Sequence, residues 1–176
     1  MTTGEITLYI AASVDGYIAT PDGGVAWLDE FEDDTEAESG YDAFFADVDC
    51  LVMGGTTYEQ VQGFGEWPYG EKPTYVVTSR ERERATDAVE LVDGDVGDLA
   101  ERVRRRYAHI WLVGGATLAQ AFLRQHEVDH LRLSLIPVLL GEGIRLFEET
   151  ETRVTLEHVE TTTHDSGIVE VAYAVA

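Results

Sequence analysis

The sequence predicts an α/β fold in a single domain over residues 1–176, with a mostly parallel central sheet, helices on both faces and a C-terminal antiparallel hairpin. Three observations predict it. Two segments read alike: Leu51-Val52-Met53-Gly54-Gly55-Thr56-Thr57 and Trp111-Leu112-Val113-Gly114-Gly115-Ala116-Thr117 each end an apolar run in Gly-Gly and open into a helical pattern. Between and around them, apolar runs of strand length alternate with amphipathic stretches, as in a parallel sheet whose crossovers are helices. Beyond Pro137 the helical pattern stops and two apolar runs flank a turn.

Taken in order, residues 5–12 are apolar and β-branched enough for a buried strand. Ser13-Val14-Asp15-Gly16 breaks the run, Tyr17-Ile18-Ala19 resumes it briefly, and Pro21-Asp22-Gly23-Gly24 marks a turn. Seven acids crowd Asp29 to Glu38. This run reads as a solvated loop leading into a helix from about Glu38 to Asp47 that turns Tyr41, Phe44 and Phe45 inward. Then follow strand 49–54, helix 56–62, strands 73–78 and 88–92, helix 96–106, strand 109–114, helix 116–124 and strand 129–136. Val154 to Thr162 and Gly167 to Ala176 form the closing hairpin around His164-Asp165-Ser166-Gly167, after a loop from Pro137 to Gly143.

Charge narrows the function. Thirty-four acids face twelve bases for a net charge of −22, and Lys72 is the only lysine. So acidic a surface repels nucleic acid and anionic lipid, which excludes both as partners. It is also the composition expected of a halophilic protein, kept soluble where molar salt screens self-repulsion within about 3 Å. No stretch approaches the roughly 20 apolar residues that span a bilayer and no signal-peptide pattern opens the chain, so a cytoplasmic protein is expected. Cys50, the one cysteine, begins an apolar run and reads as a small buried hydrophobe. His126 and His130 have helical ligand spacing, but the pattern passes from helix to strand between them and offers no third ligand; no metal is expected.

Seven of the twelve bases lie between positions 80 and 106. Arg80, Arg82 and Arg84 give the local reversal of field that a phosphorylated ligand needs, or pair with Glu81 and Glu83. Arg102, Arg104, Arg105 and Arg106 fall in a helix whose last turn favours cations, and read as partners of neighbouring acids.

The paired glycines carry the chemistry. A strand that ends in Gly-Gly turns sharply and lets a ligand approach without meeting a Cβ. A helix starting directly after it aims free N–H groups and its positive dipole end at the turn, which suits phosphate oxygens. Two such turns 60 residues apart could hold the two ends of an extended dinucleotide, or serve packing alone. Neither matches the phosphate loop of nucleoside triphosphatases or the Gly-x-Gly-x-x-Gly fingerprint.

The ordered set of segments resembles the dihydrofolate reductase-like superfamily, and within it the riboflavin-biosynthesis reductase domains and their stand-alone relatives. The resemblance rests on Ile10 to Ala19 with Trp27, Leu51 to Glu59, Tyr75 to Arg80, Ile110 to Leu118 and Pro137 to Phe147, in family order. It implies a three-layer fold and a hydride-transferring enzyme that uses NADPH. It places Gly114-Gly115, typically joined by a cis peptide, around the cofactor pyrophosphate, together with Val113, Ala116, Thr117 and Leu118. It places Gly54, Gly55, Thr56 and Thr57 on the other phosphates, and Ser79 and Arg80 on the adenosine 2′-phosphate. Classical dihydrofolate reductases carry a basic residue after the first of these glycines. Here that position is Gly55, which throws the burden onto Arg80, with Arg82 and Arg84 as helpers. Ala12 and Ile18 would line the nicotinamide; Trp27, Pro137 and Gly141 would contact the substrate.

The proton donor is left open among Glu38, Asp42 and Asp15. Glu38 falls where an ungapped count back from Met53-Gly54 puts the folate-reducing acid, Asp42 lies one helical turn on, and Asp15 reads equally as a turn residue. Reductases of the riboflavin type are not tied to that acid at all. The resulting expectation is an NADPH-dependent reductase of a pteridine-, folate- or ribosylaminopyrimidine-like heterocycle, acting as a homodimer through the C-terminal strands. The rival is a non-catalytic NADPH- or nucleotide-binding module. Phosphoryl transfer lacks the lysine and acidic metal ligands it wants.

Overall fold

The structure, a computed structural model, describes residues 3–31 and 35–176, and their side chains except at positions 35–39. It divides into two compact units: residues 1–8 with 48–129, and residues 9–47 with 130–176. Among the described residues the strands are β1 (Glu5–Ser13), β2 (Tyr17–Ala19), β3 (Cys50–Gly54), β4 (Thr74–Val77), β5 (Val89–Val92), β6 (His109–Gly114), β7 (His130–Ile136), β8 (Ile144–Arg145), β9 (Leu156–Thr163) and β10 (Val169–Val175). The α-helices are α1 (Thr35–Asp47), α2 (Gly55–Gly63), α3 (Val96–Arg106) and α4 (Ala116–Arg124), and a 3-10 helix spans Ala26–Phe31.

In the first unit the strands run in the order β5-β4-β3-β6-β1, each parallel to its neighbours. Strands covered on both faces must be apolar on both, and so Cys50, Leu51, Val52 and Met53 are all completely buried in succession. Each such aliphatic side chain contributes about 1.5–3 kcal/mol of transfer free energy. Helix α3 begins where Asp95 accepts the N–H groups of Gly97 (2.8 Å) and Asp98 (3.2 Å), and buries Leu99, Ala100 and Val103 at helical spacing. Its basic last turn behaves as expected from sequence. Arg105 pairs with Glu101 one turn back, Arg102 reaches Glu90, and Arg104 reaches Asp129 (2.6 Å) and Glu127 (3.2 Å).

In the second unit the order is β1-β7-β10-β9, and β10 pairs antiparallel with both β7 and β9. β9 is exposed at all eight positions. Helix α1 starts three residues before the expected Glu38 and turns Tyr41, Phe44 and Phe45 inward; the Tyr9 ring stacks on Phe44 at 4.6 Å. Among its described residues the unit buries a carboxyl that is hydrogen-bonded. Glu170, 6% exposed, accepts the Tyr9 hydroxyl (2.8 Å) and the Ser134 hydroxyl (3.0 Å), with His164 Nε2 at 3.6 Å. Burial, and then the bond to Glu170, pushes the Tyr9 phenol well above its ordinary pKa. β2 pairs with the two-residue β8, an element too short to leave a periodic signal in the sequence.

Candidate functional site

The two paired-glycine turns come together inside the first unit. β3 and β6 are parallel neighbours, Met53 pairs with Gly114, and each strand delivers its Gly-Gly at the same end. A Cβ on Gly54 would lie 3.8 Å from Gly114 O and from Gly115 N; one on Gly115 would lie 3.3 Å from Thr57 Oγ1. The absent side chains therefore leave the backbone of one turn open to the other. The Gly114-Gly115 peptide is cis, as the family resemblance implied, and Gly114 has φ 123°.

Helices α2 and α4 start from these turns with no side-chain cap at Gly54 or Gly115 and no acid in either first turn. Their first N–H groups thus lack a side-chain acceptor, the state in which a helix start accepts an anion. Thr56 and Thr117 are exposed, Gly54, Gly55, Thr57, Val113 and Gly115 half-buried, and Ala116 and Leu118 buried beneath them.

The arginine stretch follows β4. Thr78 Oγ1 accepts Arg80 N–H and Arg82 Nε–H, both at 3.1 Å, which sets the path of the chain as it leaves the strand. Ser79 and Arg80 are exposed. Arg82 turns back: its side chain is only 11% exposed, pairs with Glu59 on α2, and lies against Gly55, where a Cβ would come within 2.8–3.1 Å of the guanidinium. The completely buried Tyr58 fixes the far side. Its hydroxyl donates to Glu83 O (2.7 Å) and accepts from Ala85 N–H (2.8 Å). Sequence reasoning singled out neither Tyr58 nor Glu59, and gave Arg82 only a helper's part. The signal was Gly55 itself, a small residue at a position where the resembling enzymes carry a base.

The second unit holds the other residues expected at the site. Ala12 is buried on β1, Ile18 half-buried on β2, and Pro137 and Gly141 exposed. Trp27 is half-buried in the 3-10 helix, with its Nε1 buried and unpaired among the described residues. Asp15 accepts Ser13 Oγ–H (2.6 Å), Leu140 N–H (3.1 Å) and Gly141 N–H (2.8 Å). The Ser13 hydroxyl, followed by the Gly141 and Leu140 amides, holds the Asp15 carboxyl below the usual aspartate range. Asp42 is exposed on α1, and the side chain of Glu38 lies outside the described residues.

Strand order and paired-glycine turns of this kind define a dihydrofolate reductase-like fold. The chain belongs to the RibD C-terminal domain family, whose model matches residues 5–169. It is 37% identical over 157 residues to the uncharacterized protein YwjB of Bacillus subtilis, covering 87% of this chain and 89% of that one. It is 28% identical to the riboflavin biosynthesis protein RibD of Corynebacterium ammoniagenes over 80% of this chain, and spans 45% of that protein's length. Among solved structures, a putative riboflavin biosynthesis protein from Shewanella sp. PV-4 superposes with a TM-score of 0.86 at 28% identity, covering 100% of this chain and 99% of that one. The dihydrofolate reductase of Enterococcus faecalis, solved with NADP(H), superposes with a TM-score of 0.70 at 18% identity over 99% and 98% of the two chains, a likeness of fold. No helix among the described residues is long and apolar enough to cross a membrane.

Proposed function

We propose that this protein is an NADPH-dependent reductase of a pteridine- or folate-like or ribosylaminopyrimidine-like heterocycle. One observation carries the reading: two uncapped helix starts, each behind a Gly-Gly turn, adjoin in one unit with an arginine folded against them. That set fits the phosphates of a dinucleotide, because the missing Cβ atoms leave the backbone accessible and the N–H groups lack side-chain acceptors. Membership of the RibD C-terminal domain family supports reduction over mere nucleotide binding.

On this reading Gly54, Gly55, Thr56 and Thr57, with Gly114 to Leu118, hold the cofactor's phosphates, and Ala12 and Ile18 line its nicotinamide. The bound cofactor supplies a hydride equivalent. The protein's own residues position the substrate. Trp27 offers an unpaired N–H donor, and Pro137 to Gly141 form a wall that Asp15 holds in place. Asp15 is therefore a positioning residue: a carboxyl kept ionised by three donors is a poor acid at neutral pH.

The test is loss of NADPH absorbance at molar salt in the presence of dihydrofolate, a pterin or the riboflavin-pathway pyrimidine. Oxidation dependent on one of them establishes the class. Tryptophan quenching by NADPH without turnover of any of the three would favour the binding-module reading instead.

A further inference from the structure

Two loops of the second unit depart from the acidity of the rest of the chain. Residues 13–19 and 137–147 hold two acids, Asp15 and Glu142, and one base, Arg145. The charge of Asp15 is already met by three donors. The same loops carry four of the seven large apolar side chains that stand exposed among the described residues: Val14 (60%), Leu139 (70%), Ile144 and Phe147. A single exposed hydrophobe needs no explanation, but four on adjoining loops do. Nor is this loose chain. Val14 N–H donates to Val138 O and Leu146 N–H to Gly16 O, both at 3.0 Å, Tyr17 pairs with Arg145, and Asp15 ties down Leu140 and Gly141. Gly143 lets the loops meet, since a Cβ there would lie 2.2 Å from Ala19 O. The apolar side chains are thus presented on a laced platform.

Arg145 stands exposed on β8, its guanidinium 5.1 Å from the centre of the Tyr17 ring. Stacking on a ring aims the guanidinium without neutralising it. Glu142, also exposed, lies three residues away, and among the described residues neither forms an ion pair. One cation and one anion beside an apolar patch make a surface complementary to itself. About a two-fold axis, Arg145 of each copy meets the partner's Glu142 while the apolar side chains close on one another.

We propose that this platform is where a second copy of the chain docks, giving a two-fold dimer centred on the two loops and not on the exposed edge strand β9. The occupant is another copy because the charge pattern answers itself; a basic partner would find its carboxylates elsewhere on this chain, where they are plentiful. Together the loops hold eighteen residues, fewer than the roughly 20–30 per side of a standard interface, and each copy repels the other through its net charge of −22. Association is therefore weak at low salt and strengthens as salt screens that repulsion. Docking here requires neither cofactor nor substrate.

Sedimentation velocity over a series of protein concentrations, at about 0.1 M and about 1 M KCl, should show a monomer–dimer equilibrium displaced towards dimer at the higher salt. Leu139→Asp and Phe147→Asp should each raise the dissociation constant about 10–100-fold, the typical worth of an apolar anchor at the centre of an interface. The deciding arm is complementation between chains, at the lowest salt that gives a measurable wild-type dimer. Arg145→Glu alone sets carboxylates against carboxylates, and Glu142→Arg alone sets arginines against arginines, so each should associate about 10-fold more weakly than wild type, or worse. Mixed in equal amounts, the two restore both opposite-charge contacts and should form a heterodimer of nearly wild-type affinity. Mixing cannot repair a lost Tyr17 stack or a misfolded chain. The proposal is overturned by a wild type that stays monomeric at both salts, or by a mixture no better associated than its components. A dimer abolished by Val159→Asp on β9 but indifferent to Leu139→Asp overturns it equally. No arm reads turnover, so each outcome leaves the reductase assignment where it stood.

Discussion

The carboxylate of Asp15 accepts the backbone N–H of Gly141 at 2.8 Å, joining residues 126 apart in sequence, and takes a second bond from Leu140 N–H at 3.1 Å. The Ser13 hydroxyl, itself bonded to Tyr17 N–H, holds the carboxylate in place. Three donors on one carboxylate stabilise its charged form, so its folded pKa lies below the ordinary value. For a lowered carboxyl pKa, the linked stability is present above the unfolded value of about 4 and is lost as pH falls through the folded one. Protection of the Gly141 and Leu140 amides, taken relative to the intrinsic exchange rate at each pH, should therefore be present at neutral pH and be lost only in acid. Asp15→Ala should show little protection at both positions at every pH, while retained protection in that variant would remove Asp15 from its role in holding the loop.

Arg104 is held by four hydrogen bonds in the first unit. It donates to Asp129 (2.6 Å), Glu127 Oε2 (3.2 Å), Gly4 O (2.8 Å) and Glu127 O (3.1 Å), while Asp129 also accepts Ile6 N–H at 2.7 Å. Its side chain is 16% exposed and its acidic partners about a third exposed. Solvent therefore reaches the acids that a truncation would strand. Arg104→Ala should cost about 1.5–3 kcal/mol, the range for hydrogen bonds to charged groups, and lower Tm by roughly 4–10 °C. Arg104→Lys should recover less than half, because an ammonium cannot reproduce a fork that meets four acceptors. Full recovery by lysine would mean that charge alone matters there.

Legibility from sequence followed the range of the interactions involved. α3 and α4 occupy the residues expected of them, because Asp95 caps the one and Gly115 releases the other, both local signals. α1 starts earlier than its pattern suggested: an acid-rich run reads as loop by composition, but acids near a helix start are favoured by the dipole. The two Gly-Gly turns were visible as a pair, and their adjacency followed from the parallel order of β3 and β6. Which of three arginines would reach Gly55 was not legible. That depends on the Thr78 hydroxyl and the Tyr58 anchor, contacts 4 to 27 residues apart that no periodicity encodes.

His126 adopts φ 58°, the one described non-glycine residue with positive φ. It closes α4 in a Schellman arrangement, with His126 N–H on Leu123 O (3.1 Å) and Glu127 N–H on Phe122 O (2.9 Å). A left-handed residue bearing a Cβ costs about 1–2 kcal/mol, part of which glycine returns as entropy in the unfolded chain. His126→Gly should stabilise the protein by about 0.5–1 kcal/mol, and His126→Val, β-branched, should destabilise it. Chemical denaturation of the two variants gives the order directly; a valine variant as stable as the glycine one would show that the helix end relaxes out of this conformation.

Salt should stabilise this protein, and the reason lies in how its charges are distributed. The net charge is −22 on 176 residues, and Arg102, Arg104 and Arg105 of α3 are already committed to Glu90, Glu101, Glu127 and Asp129. With 34 acids against 12 bases, repulsion among the surplus carboxylates opposes the compact state. At about 0.1 M salt it acts over roughly 10 Å, and at 1 M over about 3 Å, less than the usual spacing of surface charges. Tm should accordingly climb between 0.1 M and 1 M KCl and then rise more slowly. The Arg102–Glu90 and Arg105–Glu101 pairs lose attraction over the same range, but exposed pairs of this kind contribute little. Sucrose at matched osmolality separates screening from general exclusion of solute from the surface: it should reproduce only a small part of the gain. A Tm that is flat across the KCl series, or matched by sucrose, would show that self-repulsion does not limit the stability of this fold.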